Sequence, residues 1–283
     1  MSANTFEAIK ETAARLAVDL EQKLDADVMA IIGPIVPGVE TKVRHAAEAT
    51  KNKRKKLAVI LSTPGGVVEI VERMVTILRH HYGEVVFVIP DAAMSAGTVF
   101  AMSGDAIMMS YFSCLGPIDP QVQRNGTLVP ALSYLVQYKR LSDKAAAGKL
   151  NTAEFALFQK FDLAELHKFE EARELSTTLL VKWLANYKFK DWTETKTNKK
   201  PVTQSDREVR ASEIATKLAD HQFWHSHARG IPMQVLVNDL KLSIDDFMSD
   251  PDQAGKIDRY FSFLSDLMGR ENFGQMVHTA SYL

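Results

Sequence analysis

Two short segments of this chain hold residue types suited to acyl-transfer chemistry: Thr63-Pro64-Gly65-Gly66, and Ser95 within Ala92-Ala93-Met94-Ser95-Ala96-Gly97, thirty residues after Gly65. A serine hydroxyl becomes a nucleophile once a base takes its proton. Two glycines in a turn let the backbone approach a substrate closely and aim N–H groups at a carbonyl oxygen. A serine that opens a helix stands where free N–H groups and the helix dipole favour a developing oxyanion. Either segment alone reads as a tight turn or a helix cap. Together, at this spacing, the pair is far more specific than either turn alone.

Such a crevice needs a frame, and the flanking residues supply one. Leu57–Leu61 and Val85–Ile89 are continuous apolar runs, and between them Ile70, Val71, Met74, Ile77 and Leu78 fall at helical spacing. Strands apolar on both faces and joined by a helix are parallel strands of a covered sheet, which places this part of the chain in the α/β class. Both turns then leave the carboxyl ends of neighbouring strands, the edge at which open α/β sheets bind ligands. Upstream lie a strand from Val28, a helix over 40–49 and a solvated basic turn, Lys51–Lys56. After Ser95, a helical segment from Thr98 is separated by Gly104-Asp105 from the apolar run Ala106–Met109.

Beyond Gln121 the pattern predicts helices: one over about 163–187, a lysine-rich surface loop over 188–207, and a helix over about 208–221. Amphipathic helices close both ends, one on Phe6, Ile9, Ala13, Leu16, Leu20 and Leu24, the other on Ile257, Phe261, Leu264 and Met268. The domain reading is an N-terminal helix at 1–26, the α/β domain at 27–247, and a C-terminal helical extension at 248–283.

Composition removes other classes. With 34 basic and 35 acidic residues among 283, the net charge is −1, so no global field draws the chain to nucleic acid or anionic lipid. No apolar run reaches the length of a membrane span, and the first residues lack a signal-peptide pattern, so a cytoplasmic protein is expected. Cys114 is the single cysteine, which excludes an internal disulfide and suits a reducing compartment. As a rival nucleophile it reads instead as a small buried hydrophobe. There is no Gly-x-Gly-x-x-Gly after a strand and no Gly-x-x-x-x-Gly-Lys-Ser/Thr, so neither a dinucleotide site nor an ATPase motif is present.

The two motifs resemble those of the ClpP/crotonase superfamily, especially the Clp protease proteolytic subunit, signal peptide peptidase A and the serine dehydrogenase proteinases. These carry a Ser/Thr-Pro-Gly-Gly turn and, a similar distance later, a serine in a Ser-Ala-Gly or Ser-Met-Gly context. Leu115-Gly-Pro-Ile-Asp-Pro-Gln121 and Ser226-His-Ala-Arg-Gly-Ile231 resemble the serine dehydrogenase proteinase group in particular. The resemblance runs over about 28–245 and is strong over 57–121. It implies a ClpP/crotonase-like fold, a parallel sheet flanked by helices with added N- and C-terminal helices. It also implies a serine peptidase with Ser95 as nucleophile, and an oxyanion hole from the backbone N–H groups of Gly65 or Gly66 and of Ala96. No metal or small cofactor is implied. The substrate would be a peptide or protein, and the chain a homo-oligomer with its terminal helices as contact surfaces. Unfolding of a substrate would require a separate ATPase or adaptor.

The general base stays open at this point. The histidine of the Clp subunit would fall at Pro120, and no histidine lies between His81 and His167. Asp119 is the nearest ionisable residue, but a carboxylate near the ordinary value of about 3.9 is a poor base for an alcohol, so an orienting role suits it better. Signal peptide peptidase A and its relatives use a lysine, which must drop from about 10.4 to about 7–8 by burial. Lys168 is the preferred lysine and Lys139 the second. His227 is the rival, because its segment resembles the one that brings the third triad member to the serine in the Clp subunit. An imidazole needs little tuning. Two other classes share the motifs: a crotonase-like acyl-thioester enzyme that uses the hole without a nucleophile, and a catalytically inactive oligomeric scaffold.

Overall fold

Val28–Ile32, Leu57–Leu61 and Val85–Ile89 are buried along their whole length, which a sheet covered on both faces requires. The computed structural model describes residues 3–118, 121–124, 127–195, 198–224, 226 and 228–283. The chain opens with α1 (Ala3–Leu24), β1 (Asp27–Ile32), α2 (Val39–Ala49), β2 (Lys56–Ser62), α3 (Val68–His81) and β3 (Glu84–Ile89). Next come β4 (Ala92–Ala93), α4 (Ala96–Ala101), β5 (Ala106–Met109) and β6 (Cys114–Leu115). The hairpin β7 (Gln121–Arg124) and β8 (Thr127–Pro130) leads to α5 (Ala131–Ala146), α6 (Thr152–Phe158) and α7 (Leu163–Trp183). Then follow α8 (Gln204–Leu218), α9 (His221–Trp224), β9 (Ile231–Pro232), α10 (Met233–Asn238), β10 (Asp245–Asp246), α11 (Pro251–Glu271) and β11 (Met276–His278).

The main sheet has the order β10-β5-β3-β2-β1-β11 and is parallel except for β11, which runs against β1. Alternation along the strands divides the interior in two. Met29, Ile31, Leu57, Val59 and Leu61 point into one core with Val71, Met74, Phe100, Leu180 and Ile214. Val28, Ala30, Ile32, Ala58 and Ile60 point the other way, onto Ala13, Ala17 and Leu20 of α1 and Tyr260 and Leu264 of α11. The α/β architecture expected from the sequence is therefore present, with helices on both faces.

Several expectations change at this level. The terminal helices spend their apolar stripes inside the chain, α1 packing against α11, with Lys23 bound to Asp250 and Asp252 at 2.8 and 3.0 Å. Ala13, Leu20, Ile257 and Leu264 of these stripes are thus buried inside the chain, while Phe6, Ile9, Leu16, Leu24, Phe261 and Met268 remain partly exposed. The stretch after Gln121 begins with a hairpin, and helix starts only at Ala131. The loop after Lys188 ends early, because Thr203 and Asp206 form a capping box that starts α8 at Gln204. Helix α5 and the first half of α7 form a small separate cluster, with Leu166 and Phe169 packed on Tyr134, Leu135, Tyr138 and Phe161. No helix among the described residues is long and apolar enough to cross a membrane.

The closing strand buries a titratable pair. His278 Nδ1 and the Tyr260 hydroxyl share a 2.7 Å hydrogen bond in the second core, and burial pushes the imidazole down from 6.5 to about 4. Because the unfolded chain takes this proton first as pH falls, the contribution is complete above about 6.5 and lost progressively down to about 4. It amounts to about 3 kcal/mol at most. Asp27 and Glu21, whose burial raises their carboxyl groups, act in the opposite sense. Urea titrations between pH 7 and 4.5 should therefore show a steeper loss of stability in the wild type than in His278→Gln.

Candidate active site

The two turns lie side by side at the carboxyl edge because their backbones pair. Thr63 N–H donates to Ala92 O and Met94 N–H donates to Thr63 O, each at 2.9 Å, extending the contact of β2 with the segment after β3. Gly65 then packs against the serine turn: a Cβ on it would stand 2.9 Å from Ser95 Cβ and 3.4 Å from Ala96 N. Its φ of +100° suits glycine, and its carbonyl accepts from Ile35 N–H at 2.8 Å. The same Ile35 accepts from Val67 N–H at 2.8 Å, so the glycine turn is clamped on both sides.

Ser95 has φ 52° and ψ −116°, a combination that a residue with a Cβ rarely adopts. A serine acting as an ordinary helix cap is extended and accepts a backbone N–H on its side chain. Ser95 does neither: its hydroxyl makes no cap bond, while its carbonyl starts α4 by accepting from Thr98 and Val99 N–H. Strain of this kind gathers at sites where the surrounding structure imposes it for a purpose. Ser95 is partly buried, and its hydroxyl has no hydrogen-bond partner among the described residues.

Three backbone N–H groups of the two turns are candidates for an oxyanion hole: those of Gly65, Gly66 and Ala96. Gly65 N–H is taken by Thr63 Oγ1 at 3.0 Å, which withdraws it from the crevice. Gly66 N–H and Ala96 N–H have no acceptor among the described residues. Of the oxyanion candidates, the free pair is therefore Gly66 and Ala96, with Gly65 shaping the turn.

A second, small sheet, β4-β6-β9, positions the remaining segments. Ala93, Leu115 and Ile231 stand in one row, β6 parallel to β4 and β9 antiparallel to β6. Gly116 and Pro117, which follow β6, and Arg229 and Gly230, which precede β9, thus emerge at the end where Met94 leads into Ser95. Thr98, fully buried, ties this end together: its hydroxyl lies 2.8 Å from Ala93 O and Gly116 O and accepts from Gly116 N–H at 2.9 Å. Asp119 and His227 lie outside the described residues.

The lysines fall elsewhere. Lys168 is exposed on α7, beside the separate α5–α7 cluster, without the burial a neutral lysine needs. Lys139 has a side chain 77% exposed and an ion pair with Asp143 at 3.3 Å. Lys188, read from sequence as the start of a surface loop, ends a π-helical turn (Leu184–Lys188) and is pulled down to about 8 by burial, against the pull of Asp245 and Asp105. Asp105 stands at the start of β5, bound to Arg79 at 2.7 Å, to Lys190 and to Val85 N–H at 2.7 Å. Asp105 thus lies at the opposite end of the strands from Ser95, and Lys188 feels the charges of Asp245 and Asp105. Burial and the nearby Asp91 raise the Cys114 thiol, leaving it a poor nucleophile. No group of His, Cys, Asp or Glu among the described residues could hold a metal ion.

Comparison with known proteins adds a family and several distant neighbours. Residues 38–157 match the family described as ClpP-like SDH-type serine proteinase. The uncharacterized protein MJ0137 of Methanocaldococcus jannaschii is 33% identical over 144 residues, 48% of this chain and 49% of that one. MJ1495 of the same organism is 34% identical over 87 residues, 31% of this chain and 28% of that one. The chain thus spans half or less of the curated relatives it matches. Among solved structures, a mutant of the 1510-N membrane-bound stomatin-specific protease covers 77% of both chains at 12% identity with a TM-score of 0.44. Another mutant of it, in complex with a substrate peptide, covers 45% of this chain and 62% of that one at 23% identity, TM-score 0.33.

Proposed function

We propose that this chain, whose residues 38–157 match the family described as ClpP-like SDH-type serine proteinase, is a serine peptidase working through an acyl-enzyme on Ser95. The observation that carries the reading is the strained Ser95, its hydroxyl unengaged, in a turn packed against Gly65, with the N–H groups of Gly66 and Ala96 left without an acceptor among the described residues. Ser95 Oγ attacks the peptide carbonyl carbon while the base takes its proton. The carbonyl oxygen, now an anion, accepts from Gly66 and Ala96, each donor being worth about 2.7–4 kcal/mol in the transition state. The base returns the proton to the leaving amine, and water repeats the sequence on the ester to release the acid.

For the base we favour His227. Its neighbours Arg229 and Gly230 lead into β9 at the Ser95 end of the small sheet, whereas Lys168 stands exposed. Asp119, three residues after Gly116, is the matching candidate to orient the imidazole. The substrate is a peptide or protein, and association into a homo-oligomer, a cytoplasmic setting and a separate ATPase or adaptor belong to the same reading.

A fluorophosphonate probe tests it, because Oγ–P bond formation with loss of fluoride needs the same nucleophile, base and hole. Labelling is expected in the wild type and in Lys168→Ala, and is expected to vanish in His227→Ala while the circular dichroism is unchanged. Its rate should rise through about pH 6.5, the ordinary imidazole range. A rise delayed to about pH 7–8, with loss of labelling in Lys168→Ala instead, makes the lysine the base. A wild type that never labels overturns the peptidase reading.

A further inference from the structure

Thr63 is engaged at every polar atom, and each contact touches one side of the oxyanion hole. Its N–H and carbonyl pair with Ala92 and Met94, on the path to Ser95. Its hydroxyl takes the Gly65 N–H at 3.0 Å, closing a side-chain turn over the first glycine. Its methyl occupies the space that Gly97 leaves empty: a Cβ on Gly97 would fall 2.4 Å from Thr63 Cγ2. The whole residue is 3% exposed.

Two consecutive glycines can rotate so that either amide faces the crevice, and φ of +100° and +149° at Gly65 and Gly66 are accessible to glycine without preference. Capture of the first amide removes that freedom, and the second is left without an acceptor among the described residues. On the other side, the methyl bears on Gly97, next to Ala96. We propose that Thr63 is a positioning residue: its hydroxyl selects Gly66 over Gly65 as the oxyanion donor and holds it in register with Ala96. The inference rests on the peptidase reading and says which atoms set its donor geometry. Valine has nearly the shape of threonine without the hydroxyl, and serine has the hydroxyl without the methyl, so the two substitutions separate the roles.

The test is the kinetics of fluorophosphonate labelling, in which the phosphoryl oxygen enters the hole as the Ser95 Oγ–P bond forms and fluoride departs. Thr63→Val is expected to slow the maximal labelling rate by about 10- to 100-fold with the probe's half-saturation concentration within about threefold, since the donor acts on the transition state. Thr63→Ser should stay within about threefold of wild type in both, since it retains the Gly65 bond. Amide exchange at Gly65 should accelerate in Thr63→Val and Thr63→Ala alone. An undiminished maximal rate in Thr63→Val overturns the proposal, as does an equal loss in Thr63→Ser, which would place the effect in the methyl. If both hydroxyl-free variants fail to fold, Thr63 is a folding residue and the assignment is wrong. If the wild type itself does not label at Ser95, the peptidase reading fails first, a result distinct from a wild type that labels and a Thr63→Val that labels equally well.

Discussion

Replacing Ser95 with glycine should abolish fluorophosphonate labelling and peptide hydrolysis and, at the same time, raise the melting temperature. Both effects have one origin. The side chain at 95 stands at φ 52° and ψ −116°, where a Cβ is crowded by its own backbone. Holding a residue in such a region costs on the order of 1–3 kcal/mol, a strain that glycine does not bear. For a chain of this size that corresponds to a rise of roughly 2–5 °C. Ser95→Ala separates the terms, because alanine keeps the Cβ and loses only the oxygen. It should be as inactive as glycine, with turnover reduced by on the order of 10⁵–10⁶, and melt close to wild type. Calorimetry and intact-mass labelling of the three proteins suffice. Residual labelling of Ser95→Ala at the wild-type rate would move the nucleophile elsewhere, and equal melting of all three would remove the strain from the account.

The second large effect is expected at Gly66. A Cβ there would lie 2.0 Å from Ile35 O and 2.7 Å from Ile35 C, a collision with backbone that no side-chain rotation relieves. Gly66→Ala must push the turn away from Ile35 and break the bonds Ile35 N–H to Gly65 O and Val67 N–H to Ile35 O, both 2.8 Å. With about 1 kcal/mol for each hydrogen bond and about 1–2 for the strained φ, a loss of roughly 3–4 kcal/mol follows. Because the same movement withdraws the Gly66 N–H from the crevice, labelling should fall by about 10²–10³ beyond any unfolding. Gly38→Ala is the control. Gly38 also has positive φ, +101°, but a Cβ there meets nothing within 4 Å, so only the conformational cost of about 1 kcal/mol should appear, with activity intact. Equal destabilisation by the two alanines would show that the contact with Ile35 contributes nothing.

The base question turns on geometry that sequence spacing reaches only through a resemblance. Lys168 and His227 each sit at a position that suits a family pattern, yet a lysine becomes a base by burial and a histidine by proximity. Burial is absent at Lys168, which rides beside a small cluster separate from the main core. The antiparallel pairing of Ile231 with Leu115 brings Arg229 and Gly230 toward the end of the small sheet that holds Ser95, while His227 itself lies outside the described residues. That pairing joins residues more than a hundred positions apart, so no local pattern announces it. Lys188 shows the reverse case: a residue in a lysine-rich, loop-like stretch acquires a lowered pKa because the helix before it runs on through a π turn into a half-buried site.

What the amino-acid order determines by itself here is local. Apolar runs at 57–61 and 85–89, helical spacing between them, and glycines and a serine at the strand exits are read over windows of a few residues, and all of them stand in the structure where they were expected. Short elements escape such windows. β11 has three residues and β10 two, too few to show a period, and each exists because a sheet edge offers unpaired backbone groups for it to join. The paired strands β7 and β8 are likewise only four residues each, too short for a period to stand out. The tertiary structure alone decided which glycine amide is free, since that depends on Thr63 folding its hydroxyl back onto Gly65. It also decided that the terminal helices cover the second face of the sheet, because an amphipathic stripe records that a helix must pack without recording against what.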